Sequence, residues 1–183
     1  MAIRVASVRE YGATRMLRTG RALAVAGCLL LLSVSVQARQ VIGWVERARI
    51  SPGNFVMHAK IDTGAKTSSL NAHDIKEFTR NGEEWVRFTV TNREGASSTL
   101  ERRLRRVAVI KRHFGGKQER LVVRMGICIA GVYRYAEVNL VDRSGFNYGL
   151  LIGRSFLKGR LIVDPAKTFT AEPDCGERGG DGQ

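Results

Sequence analysis

The chain has 183 residues and a formal net charge of +13, from 30 basic and 17 acidic side chains. This length suits one domain and does not comfortably hold two. The basic balance is typical of a solvated surface, and it also favours acidic partners such as anionic peptides or cell-wall polymers. Because no Arg/Lys run alternates with aromatic side chains, the sequence argues against a nucleic-acid platform.

The first 38 residues predict a secretory signal peptide. Arg15, Arg18 and Arg21 precede an apolar run at 22–36, and Val36-Gln37-Ala38 places small residues around a cleavage site. The run is too short for a stable membrane span, so we predict a periplasmic or secreted protein. A retained N-terminal anchor is the alternative.

Three cysteines bear on processing and stability. Cys28 ends a segment that resembles a lipoprotein cleavage box, but the apolar run follows it, whereas a lipobox should close that run. We therefore favour cleavage near Ala38 over lipid attachment. Export leaves Cys128 and Cys175, and the sequence is equally consistent with a disulfide and with two free thiols.

From residue 41 onward the chain predicts short strands separated by turn residues. Phe55, Met57, Ala59 and Ile61 alternate as in a half-buried strand, and Asn81-Gly82 is typical of a hairpin turn. Residues 71–78 form a connection or a short strand, and a strand that reaches Pro165 cannot continue as a central one. We predict strands at 41–50, 55–61, 84–91, 99–112, 120–129, 133–141, 149–152 and 161–165, and one helical turn at 155–158.

These elements predict the fold class and the domain limits. Many short strands with almost no helical periodicity indicate a small all-β barrel or sandwich. The predicted domain covers residues 39–171, after the signal peptide at 1–38 and before a disordered polar tail at 172–183. Its most basic strand, 99–112, should bury Leu100, Leu104, Val107 and Val109 on one face, at a barrel exterior or a sheet edge.

Two motifs carry a resemblance to a known fold. Ile61-Asp62-Thr63-Gly64-Ala65 resembles the active-site loop of retropepsin-like aspartic proteases, and Leu151-Ile152-Gly153-Arg154 resembles the helix start after their last barrel strand. The wider pattern over 41–165 resembles a bacterial family labelled putative ATP-dependent zinc protease and also described as retropepsin-like. The resemblance implies a closed barrel with one short C-terminal helix. Without it, Asp62 would be an Asx turn that caps a hairpin.

The resemblance also implies a chemistry for the loop. Asp62 would share a proton with a second carboxylate and activate water. Because the chain has one such motif, the second Asp62 must come from another copy, so we expect a homodimer. Gly64 permits the turn, while the resemblance implies that Thr63 joins the two loops and that Ala65 leaves room for the substrate backbone.

One position departs from the usual pattern. Retropepsins commonly carry an acid after this Ala, paired with the Arg of the Gly153-Arg154 element, but here the residue is Lys66. Arg154 therefore needs another partner, for which Asp142, Asp164 and a main-chain carbonyl are candidates. Lys66 either weakens proton sharing by favouring ionised acids, or binds an acidic side chain of the substrate.

Three further parts are missing or poorly matched. The sequence has no Gly-x4-Gly-Lys-Ser/Thr loop and no His-Glu-x-x-His, and the three histidines His58, His73 and His113 lack ligand spacing. We therefore predict no cofactor, neither zinc nor nucleotide. Phe114-Gly115-Gly116 lies where a flap would fall, but it matches a retropepsin flap poorly.

The sequence thus predicts an exported, homodimeric aspartic peptidase with Asp62 as its catalytic acid. Related genes are associated with glutamate-ligase-type systems, so the resemblance suggests acidic or Glu-rich peptides as substrates. The alternative is a non-catalytic module with the same barrel, which binds an anionic envelope partner.

Overall fold

A computed structural model describes residues 38–111, 116–142, 145 and 147–176. The predicted signal peptide, except Ala38, and the predicted flap, except Gly116, lie outside these residues. No helix within the described part is long and apolar enough to cross a bilayer. The elements are β1 (Gln40–Ser51), β2 (Phe55–Ile61), β3 (Ser68–Asn71), β4 (His73–Arg80), β5 (Glu83–Thr91), β6 (Ser97–Lys111), β7 (Lys117–Ile129), β8 (Val132–Val141), β9 (Leu150–Ile152), α1 (Arg154–Leu157) and β10 (Leu161–Thr168).

Six strands close into a barrel, as the sequence predicts. They pair in the order β1, β2, β9, β3, β8 and β7, and β7 returns to β1. Closure is possible because β1 uses one edge twice, with residues 40–45 on β10 and 48–51 on β7. The strand β7 does the same, with 117–123 on β6 and 126–129 on β1. A closed ring removes most exposed sheet edges.

Alternation along the strands fills the barrel. In β2, Met57, Ala59 and Ile61 are buried and the residues between them are not, which confirms the predicted strand. The helix α1 adds Phe156 and Leu157 to the same core. Because Arg154 and Ser155 of that helix stay exposed, α1 lies against the barrel with one apolar side.

A three-stranded extension of β6, β5 and β4 leaves the barrel through β7. The hairpin between β4 and β5 has the predicted turn, with φ of 52° at Asn81 and 77° at Gly82. The strand β4 is eight residues long, whereas the sequence predicts a connection or a short strand at 71–78. Its side chains are almost all exposed, so it lacks the alternation by which a strand is recognised.

The predicted buried face of β6 is wrong at one end. Val107 and Val109 are 45% and 55% exposed, whereas Ala108 between them is buried. Leu104 lies opposite Val123 and Arg106 opposite Val122, so β6 carries one extra residue in a bulge. Leu100, Arg102 and Ala108 are all buried, so the even-numbered positions face inward on both sides of the bulge, and Val107 and Val109 lie on the outer face by simple alternation. The strand pairs with β5 through residues 97–103 and with β7 through residues 104–111, so each half is paired on one side only, as expected for a sheet edge.

The strand that contains Pro165 is not a central strand, as the sequence predicts. The strand β10 continues past this residue to Thr168, but it pairs only with β1 and is terminal in the sheet order. A proline is tolerated there because an edge strand needs backbone donors on one side only.

A buried acid fixes the segment that follows β10. Glu46 of β1 is fully buried, and its carboxylate accepts hydrogen bonds from the Gly43 amide at 2.6 Å and the Thr170 amide at 2.9 Å. The Thr170 hydroxyl donates a third bond at 2.6 Å. Because a buried carboxylate is costly unless it is well hydrogen-bonded, Glu46 holds this segment against β1.

Cys128 and Cys175 form a disulfide. Cys128 of β7 and Cys175 have Cα atoms 6.1 Å apart and are joined by a bridge. Arg47 and Glu172 add an exposed ion pair at 2.9 Å. The tail that we predicted to be disordered from residue 172 is therefore fixed at least as far as Cys175, and 177–183 lie outside the described residues.

Replacing Cys175 by Ser should lower the free energy of unfolding by up to about 4 kcal/mol, because the bridge closes a loop between residues 47 apart in sequence. Urea unfolding followed by tryptophan fluorescence measures the difference. Wild-type protein in dithiothreitol is the matched control and should unfold at the variant's midpoint. Equal midpoints for the oxidised wild type and the variant would contradict a stabilising bridge.

Candidate active site

The two sequence motifs meet at the ends of neighbouring strands. The strands β2 and β9 are parallel, with Ile61 opposite Ile152, and both end there. The Asp62 amide then donates to the Ile152 carbonyl at 2.8 Å. The barrel thus brings together two segments that lie about ninety residues apart in the sequence, as the retropepsin resemblance implied.

Asp62 lies in a tight turn that orients its carboxylate. Its Oδ1 atom accepts hydrogen bonds from the amides of Gly64 at 2.9 Å and Ala65 at 3.1 Å. The side chain is half-buried. A Cβ atom at residue 64 would lie 3.2 Å from the same oxygen, so only glycine avoids crowding the carboxylate. The loop is therefore an Asx-type turn, and that turn gives the carboxylate one defined direction.

Arg154 holds the Asp62 loop from the side of α1. Its guanidinium Nη1 donates to the carbonyls of Thr63 at 2.9 Å and Gly64 at 2.6 Å. Its own amide donates to the Ala65 carbonyl at 2.8 Å. A main-chain carbonyl is thus the partner among the three candidates, while Asp164 pairs with Lys167 at 3.2 Å.

Asp164 is engaged elsewhere and does not neutralise Arg154. The Ala166 amide and Lys167 hold the pKa of Asp164 below its usual range, so this acid is ionised and already paired. Arg154 instead keeps its charge facing neutral carbonyl oxygens. The surroundings of the loop are therefore more positive than in a site where an acid replaces Lys66.

Gly153 allows the loop and α1 to approach closely. A Cβ atom at this position would lie 2.7 Å from the Lys66 carbonyl oxygen and 2.7 Å from the Thr67 carbonyl carbon. Its amide donates to the buried Ser68 hydroxyl at 3.1 Å. A larger residue would therefore push α1 away from the loop.

A cleft of about 330 Å³ lies beside the loop. Ala65 and Lys66, the two predicted substrate-binding residues, line this cleft together with residues of the β6–β7 hairpin. Ile110 and Arg120 of that hairpin were missed by the sequence analysis. Both lie close to the predicted flap in the sequence, and this position was the one signal that could have indicated a role at the cleft. The lining residues are Ala65, Lys66, Thr67, Ser69, Ile110, Arg120, Asn139 and Leu151.

The histidines do not cluster within the described residues. No group of three or more His, Cys, Asp or Glu side chains in this part of the chain could hold a metal ion. The His58 ring packs on Phe169, with centroids 4.8 Å apart, and His73 lies 3.9 Å from the Asp74 carboxylate. His113 lies outside the described residues.

A family described as RimB-like, retropepsin-like aspartic endopeptidase RimB, matches residues 41–174. The chain belongs to the RimB-like family. The match covers both motifs, from β1 to the segment just before Cys175. It confirms the retropepsin-like barrel that the sequence predicted.

Two curated relatives of this RimB-like chain are each named probable alpha-L-glutamate ligase. The one from Desulfotalea psychrophila is 35% identical over 133 residues, which cover 70% of this chain and 29% of that protein. The one from Shewanella pealeana is 32% identical over 124 residues, which cover 66% of this chain and 26% of that protein. The chain therefore spans less than a third of the length of these relatives.

A solved structure resembles the RimB-like chain over most of its length. Lpg0085 from Legionella pneumophila, a protein described as having unknown function, is 36% identical. The TM-score is 0.63, and the match covers 73% of this chain and 98% of that one. The shared part is therefore a whole protein in one case and a fraction of a longer protein in the others.

Replacing Gly153 by Ala should lower the free energy of unfolding by about 1–3 kcal/mol, because the new Cβ atom would overlap the Lys66 carbonyl. Thermal and urea unfolding measure this loss. Gly145→Ala is the matched control, since no atom lies within 4 Å of its added Cβ. Equal losses in both variants would show that close packing against the loop is not the reason for a glycine at 153.

Proposed function

We propose that this chain is an exported aspartic endopeptidase in which Asp62 carboxylates from two copies activate water to hydrolyse a peptide bond. The observation that carries this proposal is the geometry of the Asp62 loop. The carboxylate is half-buried and oriented by the Gly64 and Ala65 amides, and Arg154 holds the loop through the carbonyls of Thr63 and Gly64. The family description as an aspartic endopeptidase supports it.

The proposed chemistry requires both carboxylates in one site. Two like charges about 3 Å apart cannot both ionise, so the pair shares one proton. The ionised Asp62 takes a proton from water as the oxygen attacks the peptide carbonyl, and the protonated Asp62 donates to the carbonyl oxygen. The roles reverse when the tetrahedral intermediate collapses and the amine leaves with a proton.

The single motif makes a second copy part of the proposal. A two-fold axis that passes beside Asp62 would place the same loop from each copy face to face. In such a dimer Thr63, which is exposed in the single chain, would reach the partner loop. We therefore propose a homodimer as the active form.

Acidic peptides are the substrates that fit the cleft beside the loop. Lys66 and Arg120 place two cationic side chains on its walls, and Ile110 and Leu151 supply apolar contact. A cation in a narrow cleft attracts carboxylates strongly because water is partly excluded. Relatives named as glutamate ligases support a Glu-rich substrate. Since the match covers less than a third of those proteins, we assign the ligase chemistry to their remaining length.

Export is also part of the proposal. The predicted signal peptide and the Cys128–Cys175 bridge both support an oxidising compartment such as the periplasm. A non-catalytic module for an anionic envelope partner is the second candidate. It is favoured by the two hydrogen bonds that already engage Oδ1 of Asp62 within its own loop.

Replacing Asp62 by Asn should reduce cleavage of a Glu-rich peptide by about 10²-fold or more, because the amide can neither share nor accept the proton. Mass spectrometry of the products measures the rate, and sedimentation checks that the dimer persists. Asp74→Asn, at an exposed acid on β4, is the matched control and should keep full activity. Equal rates for the wild type and the Asp62 variant would exclude the peptidase, and binding without cleavage in both would favour the module.

Replacing Lys66 by Gln should raise the KM for a Glu-rich peptide about tenfold and leave a neutral peptide nearly unchanged, because one charge-assisted contact is lost. Steady-state cleavage of the paired peptides measures the two constants. Lys76→Gln removes an equal charge from the distant strand β4 and should change neither. A similar rise for both peptides would mean that Lys66 supports the loop and does not select acidic residues.

A further inference from the structure

A second cleft, of about 670 Å³, lies on another side of the Asp62 loop. Its lining includes four cationic side chains, Arg39, Lys66, Arg154 and Lys158, and all four are exposed. None of the described residues that line it is acidic. The acceptors of Arg154 at the loop are the carbonyls of Thr63 and Gly64, which leave its charge uncancelled.

The floor and margin of this cleft are apolar. Ile162 of β10 lines it and is 47% exposed, and Val41 of β1 is also 47% exposed. These two residues are directly paired between the parallel strands, so their side chains share one face of the sheet. Exposed apolar surface next to a cleft favours association with another surface.

The cleft also borders the contact that the proposed dimer needs. Thr63, the residue expected to reach the partner loop, lines this cleft together with the four cations. A two-fold interface places the same patch of each copy opposite itself. Two copies that met at Asp62 would therefore bring two sets of these cations together. Like charges closer than the Debye length, about 8 Å at physiological salt, repel each other.

We propose that this cleft is an anion-binding site, and that a multivalent anion bound there allows two copies to pair at Asp62. The inference rests on the proposed function, because it concerns the assembly of that site. The apolar pair of Val41 and Ile162 favours the dimer, and the four cations oppose it until an anion is bound. Carboxylate and phosphate groups are both suitable ligands, since both accept bonds from Lys and Arg. Assembly of the peptidase is then conditional on an anion.

Sedimentation velocity of the chain carrying Asp62→Asn tests this without cleavage of any peptide. Tripolyphosphate and citrate are the probes, compared with sodium chloride at matched ionic strength, and they separate phosphate from carboxylate ligands. An anion that binds only the dimer, at ten times its own dissociation constant, should tighten the monomer–dimer Kd by about tenfold. The matched chloride should produce a much smaller change.

Two double variants locate the effect. Arg39→Gln with Lys158→Gln removes two cations from the cleft, so this protein should dimerise without the probes and respond to them weakly. Lys76→Gln with Arg93→Gln removes the same charge from exposed positions on β4 and in the loop between β5 and β6, and this protein should still need the anion. Circular dichroism checks that all proteins are folded.

The inference is overturned if neither probe changes the Kd, or if both double variants behave alike, since net charge would then explain the result. Failure of the peptidase is a separate outcome. Wild-type protein that pairs with the anion but cleaves no peptide would remove the proposed function and leave this site. A dimer that forms without an anion and cleaves peptide would support the proposed function and overturn the anion site.

Discussion

Two distant chain segments are held together at one point, where β2 and β9 end side by side. The main-chain hydrogen bond from the Asp62 amide to the Ile152 carbonyl fixes the start of the loop. The Arg154 side chain donates hydrogen bonds to the next two carbonyls of the loop. A guanidinium suits this position because it is planar, always charged and able to donate several bonds at once. The direction of the Asp62 carboxylate therefore depends on the closure of the whole barrel.

Lys66, at a position where retropepsins commonly carry an acid, changes the charge around the Asp62 loop. With no acid at that position, Arg154 binds backbone carbonyls, and the loop keeps two positive charges instead of a neutral pair. The clefts on either side of the loop consequently share Lys66 and are both basic. In this retropepsin-like scaffold, Lys66 thus adds a positive charge to those of the other basic side chains that line the two clefts.

Much of this structure could be predicted where local chemistry decides the conformation. The Asn81-Gly82 turn and the strand that leads to Asp62 follow from backbone preference and simple alternation, and the paired motifs identified the barrel. Sequence analysis failed where pairing with a distant strand decides. Which face of β6 is buried depends on how the strand packs in the fold, and the apolar Val107 and Val109 lie on its exposed face. The partner of Arg154 was similarly undecided, because it depends on how closely Gly153 lets α1 approach.

The full length of β4 and the disulfide to Cys175 could not be predicted from the sequence, for related reasons. Few of the β4 side chains are buried, so its conformation comes from its hydrogen bonds to β5. Cys175 follows a segment that is anchored through Glu46 and Thr170, and neither residue suggests a long-range contact in the sequence. Both features are set by the tertiary fold.

The pairing of β1 with β10 affects how the chain folds during synthesis. Gln40 lies opposite Leu161, so the first strand needs the last one beside it. Contacts so remote along the chain form slowly, since the intervening polypeptide must be ordered first. A ribosome that delivers the N-terminal end first would leave the β10-facing edge of β1 unpaired until residues 161–168 had emerged. Chaperone capture during that interval would matter more for this architecture than for one built from neighbouring hairpins.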